Sequence, residues 1–270
     1  MSRARVGAYA LWQLRDYLKD RGLPTVIVAT LSAYLGLEPL LERMPRPTDP
    51  VPQGLLQRFG SAEAAYAARM AEFNFLFLRG ILGALIFLGA LFAMNGIVAN
   101  DRKQGFFRFL FAKPITASRY YGQAFVVHWL GFMLVMTLLA AVYGVVIWPV
   151  LTPSLLIVVA LMFVAYAGIA FLLSAAARWD WMSLVAVAVL ATFLWTRFGG
   201  STHPLAKLLY LLPPLHRADE VYASVAGAPM FAAQRLATIP WPLLSWFAGY
   251  GVVCYLAGLV VLRYRRLAIV

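Results

Sequence analysis

Apolar residues run along this chain in blocks too long for the core of a soluble domain. Between Arg119 and Arg178, 58 consecutive residues carry no formal charge. Crossing about 30 Å of hydrocarbon takes about 20 apolar residues, so that stretch fits two membrane-spanning helices. Trp148-Pro149-Val150-Leu151-Thr152-Pro153 divides it, because proline ends one helix and opens the next. The pattern predicts spans at about 121–147 and 155–177. Similar apolar blocks predict spans at 80–100 and 243–262, the last closed by Arg263, Arg265 and Arg266. Two shorter blocks, 24–41 and 181–196, bring the expectation to six. The expected class is an all-α polytopic membrane protein, with 1–270 as a single transmembrane domain.

Three segments fall outside the spans. Residues 6–21 are amphipathic: Leu11, Leu14 and Leu18 share one face, and Arg15, Asp16, Lys19 and Asp20 the other. With Gly22-Leu23-Pro24 read as a turn into the membrane, 6–21 is expected to lie on the inner leaflet as an interfacial helix. The outer segment 42–72 opens with Pro45, Pro47, Pro50 and Pro52, then becomes helical from Ser61, an N-cap residue with Glu63 in the first turn. In the outer segment 197–240, the run Leu205–Leu212 is too short to span and ends at Pro213-Pro214. It reads as a re-entrant or surface hairpin before the last span.

Composition removes the soluble alternatives. Hydrophobic residues make up 63% of the chain and charged residues 13%, against about 45–50% and about 25% in soluble proteins. The formal charge of +12 would suggest nucleic acid in a soluble protein. Here it divides by side, with +10 on the face holding both termini and +1 on the other, or +2 counting Arg79. By the positive-inside rule both termini are cytoplasmic, in a plasma (inner) membrane, and the basic excess calls for no nucleic acid. Cys254 is the only cysteine, which excludes an internal disulfide.

No catalytic or metal-binding motif is visible. None of the four lysines follows glycine, so there is no phosphate-cradling P-loop, and there is no His-Glu-x-x-His. Apart from Glu38 in the block 24–41, the predicted spans hold no carboxylate, so an ion-coupled carrier is not expected, and no energy source is visible in this chain. Asn95, His128 and Arg79 are the polar residues of interest in or beside the spans. Each either bonds or snorkels locally, or lines an interface or substrate path. His216, Asp219 and Glu220 read as a solvated outer loop before a metal site. Gly89, Gly96, Ala186, Ala188 and Gly258 read as close-packing positions.

The informative segment is the cytoplasmic loop 101–119. Phe106, Phe107, Phe109 and Phe111 crowd into six positions of a short helix that Pro114 ends. Burying each ring is worth about 1.5–3 kcal/mol, so the rings need a partner, either the inner leaflet or a cytosolic protein. Acid-Arg-x-x-Gly, an apolar-rich stretch, then Pro with Ser/Thr two residues on is written here as Asp101-Arg102-Lys103-Gln104-Gly105, Phe106–Leu110, Pro114 and Thr116. That loop and the wider layout resemble the type-2 permeases of ATP-binding-cassette (ABC) exporters. Asp101 stands where Glu is usual, Arg108 where an acid is common, and Ala117 and Gln123 where basic residues often sit.

The resemblance implies a coupling helix built from Gly105, Phe106, Phe107, Arg108, Phe109, Leu110, Phe111, Lys113 and Pro114. Such a helix seats in an ABC ATPase subunit, in two copies, which carries the ATP and Mg; this chain itself is then not an enzyme and has no cofactor. A second permease copy, or a related permease, completes the transporter, surrounded by membrane lipid. The expected function is ATP-driven export of an unidentified substrate, lipid-like or amphipathic by the apolar character of the spans. The competing expectations are an ATPase-coupled scaffold or assembly factor without cargo, and a membrane-embedded lipid-modifying enzyme.

Overall fold

The computed structural model describes residues 11–27, 29–31, 42, 44–103, 116–146, 150–176, 180–201, 204–226 and 239–264. Among them there is no strand. Helix α1 fills residues 11–27, with a π-helical segment at Leu18–Gly22. It is followed by α2 (Gln53–Phe59), α3 (Ala62–Lys103), α4 (Ala117–Val146), α5 (Pro153–Ala176) and α6 (Asp180–Phe198). Two 3₁₀ segments, Pro204–Leu211 and Leu215–Arg217, lead to α7 (Ala218–Ala226), and α8 (Trp241–Tyr264) ends the described chain.

Local chemistry sets most of these boundaries. Ser61 Oγ accepts the Ala64 N–H at 3.1 Å and opens α3. Thr116 Oγ1 accepts the Arg119 N–H at 3.4 Å to open α4. Thr152 Oγ1 accepts the Leu155 N–H at 3.2 Å, with Pro153 at the first helical position of α5. Each hydroxyl satisfies one of the donors a helix start leaves unpaired. Helix α2 ends on Gly60, whose φ of 76° is the left-handed conformation that favours glycine.

Helix α5 is the centre of the bundle, packed chiefly between α3 and α8. Val158, Met162, Phe163, Ala167 and Phe171 are buried along it. Its contact with α8 is backbone to backbone. A Cβ on Gly168 would collide with the Gly251 carbonyl, and one on Gly258 would stand 2.7 Å from the Phe171 ring. Gly89 similarly admits the Phe132 ring against α3. Small residues are how membrane helices gain such close contact. Ala186, expected to serve the same purpose, is exposed.

Three helices, α4, α5 and α8, are long and apolar enough to cross a membrane. Shorter apolar stretches occur at Leu82–Met94 in α3 and Ser183–Phe198 in α6. The chain is a multi-pass membrane protein in its helical make-up. Of the block 24–41, residues 28 and 32–41 lie outside the described part.

Two expectations change. The outer helix starting at Ser61 and the block 80–100 are one helix of 42 residues, about 63 Å long. A lone Gly80 lowers helix propensity without stopping it, and no proline intervenes. Arg79 therefore sits inside a helix and not at a helix end. The turn expected at Gly22-Leu23-Pro24 is also absent: Leu23 is helical, with φ −60° and ψ −50°, and its N–H bonds Leu18 O. The wider π turn lets the helix continue past a proline that has no N–H to give. Residues 13–22 consequently run beside α4. Within the segment 197–240, Pro204–Leu211 forms a 3₁₀ helix. Tyr250 of α8 donates its hydroxyl to Leu211 O at 3.0 Å, tying this segment to the bundle.

Candidate functional site at the base of the loop between α3 and α4

The residues expected to couple to an ATPase, Gly105 to Pro114, lie outside the described residues, but the helix ends that carry them do not. Asp101 occupies the last turn of α3 and Tyr121 the first turns of α4. Tyr121 donates its hydroxyl to Asp101 Oδ2 at 3.0 Å, closing the loop 20 residues apart. Tyr121 is buried, its ring 5.7 Å from Phe171 of α5 and 5.0 Å from Tyr120. Burial pushes the Asp101 carboxyl up from 3.8 to about 6, and the Tyr121 hydrogen bond partly opposes that rise. Two motif residues thus have local duties: Asp101 ties α3 to α4, and Thr116 caps α4.

Above this tie, α1 and α4 share a polar seam. Gln123 Nε2 donates to Gln13 Oε1 at 3.2 Å. The Tyr17 ring lies 5.0 Å from the His128 ring, and Gly131 gives it room on α4. His128, singled out in the sequence, is thus an aromatic neighbour of Tyr17 between two helices. Trp129 Nε1 reaches across to Ala160 O of α5 at 3.3 Å. Asn95 and Arg79 both belong to α3, and their side chains lie outside the described parts.

The outer polar cluster is built differently from a metal site. Arg217 grips Glu220 with two hydrogen bonds of 2.7 Å, which holds the Glu220 carboxyl below its usual range. His216 stacks on Trp195 at 3.9 Å, and Tyr210 meets the same indole edge-on at 5.3 Å. Desolvation first, then the Arg217 charge, lowers the His216 pKa, with Glu220 opposing. Among the described residues no group of three His, Cys, Asp or Glu is placed to hold a metal.

Tyr17, Gln13, Tyr121 and Trp195 carry these contacts, none of which was expected from the sequence. Their partners Gln123, His128, Asp101 and His216 were named in the sequence for other reasons, and they lie too far along the chain for a local pattern to announce the pairing. No family model, curated protein or solved structure matches this chain.

Proposed function

We propose that the chain is the permease subunit of an ATP-driven exporter of the ABC type-2 kind. It moves a lipid-like or amphipathic compound out of the cytoplasm, using ATPase subunits on separate chains that hold ATP and Mg. In this reading the chain has six spans and both termini in the cytoplasm, and it works with a second permease. The observation that supports it is the Asp101–Tyr121 bond at 3.0 Å. A loop bearing four phenylalanines needs a partner, and a loop tied at its base passes a push on those rings to α3 and α4 rather than flexing. Such a tie is what energy transfer from a cytosolic motor requires.

The test is Phe107→Ala combined with Phe109→Ala. Loss of ATPase co-purification is the expected result, with at least about tenfold weaker capture from two truncated anchor residues. Undiminished capture and transport would refute docking through this loop.

A further inference from the structure

Helix α1 carries its charges at an unexpected depth. Gln13 meets Gln123, Tyr17 meets His128 and Gly131, and Gly22 stands beside Val135. Both series rise together, so α1 runs parallel to α4 and residues 13–22 share the level of 123–135. Helix α5 fixes that level. Phe163, close to the middle of α5, stacks on Phe132 at 4.6 Å and meets Phe125 at 6.3 Å. Helix α5 is uncharged and 24 residues long, enough to cross the hydrocarbon, so its middle marks mid-depth.

Arg15, Asp16, Lys19 and Asp20 are all exposed at this level, whereas Tyr17 is buried. The exposed residues of α4 beside them are Val126, Leu130 and Leu134. Acyl chains suit that apolar stripe but solvate neither cations nor carboxylates. The covering surface must itself be charged, and a cytosolic subunit does not reach mid-depth.

The four residues form two columns. Spacing of four stacks Arg15 with Lys19, and Asp16 with Asp20 in the adjoining row. A two-fold axis along the helix sets the basic column of one molecule against the acidic column of the other. Flanking charges pair in this way in parallel coiled coils. We infer that this face of α1 is the contact between two copies of the chain, closed by Arg15 and Lys19 of each copy against Asp16 and Asp20 of the other. The inference rests on the proposed paired permease and names the surface that pairs it.

The test uses the full chain in lipid nanodiscs without ATPase, with subunits counted by single-molecule photobleaching. The wild type is expected to be dimeric. Arg15→Glu with Lys19→Glu, and separately Asp16→Lys with Asp20→Lys, should each weaken self-association at least about 100-fold. Co-expressed under different tags, the two variants should pair with each other. A monomeric wild type, a variant that still self-associates, or absent rescue between two folded variants overturns the inference. So does capture of an unlike membrane protein through these residues. Should either reversal fail to insert, Asp16→Asn with Asp20→Asn should still weaken the dimer about tenfold, and unchanged association overturns the inference. ATPase capture is scored separately, so its failure with the dimer intact removes the proposed function and leaves the seam standing.

Discussion

Asp101 joins a carboxyl with a raised pKa to the Tyr121 bond at the base of the loop between α3 and α4, and the sign of its pH effect is fixed. Unfolded, it loses its proton near 3.8; folded, near 6. Between those values the folded chain keeps a proton that the unfolded chain has lost. Stability therefore falls as pH rises through that window and is flat above it. Asp101→Asn should remove this slope, measured by thermal unfolding in detergent from pH 4 to 7. A slope that survives the substitution would assign it to another group. The sequence marked Asp101 only through a motif resemblance. Its bond to Tyr121, 20 residues away, has no local pattern that could announce it.

At the scale of helices, the α5–α8 contact is the most demanding in the molecule. A Cβ at Gly251 would stand 2.6 Å from Ala165 Cα, a backbone atom that yields only if the helices part. Gly251→Ala is expected to cost about 1–3 kcal/mol, whereas Gly249→Ala should be neutral or gain up to about 1 kcal/mol. Nothing lies within 4 Å of a Cβ built at Gly249, on the same helix. Denaturant titration of both variants gives the comparison, and equal effects would contradict the close packing. Much at this scale was legible beforehand. Ser61 caps a helix, the Trp148–Pro153 break separates two, and Gly258 lies at a close contact. The merging of two expected helices into α3 was less legible, since one glycine only lowers propensity. The course of α1 beside α4 was hidden for another reason: an amphipathic pattern does not say which neighbour its buried face meets.

For the whole molecule, helical make-up and apolar length were legible, and the expected blocks 121–147, 155–177 and 243–262 appear as three helices able to cross a membrane. Sidedness follows from charge and is open to a direct check. In a Cys254→Ser background, Ser61→Cys should react with an impermeant maleimide added outside intact cells. Ser118→Cys, at the start of α4, should react only after the membrane is opened. The reverse pattern would invert the topology. The long helix α3 runs from Ala62 to Lys103 in one piece. As a rod of about 63 Å without a proline, it has no hinge where motion could be lost. A tilt of about 10° at its cytoplasmic end would swing its far tip by about 11 Å. Whatever pushes on the loop at one end of α3 is thus felt, amplified, at the other, and α3 acts as a lever.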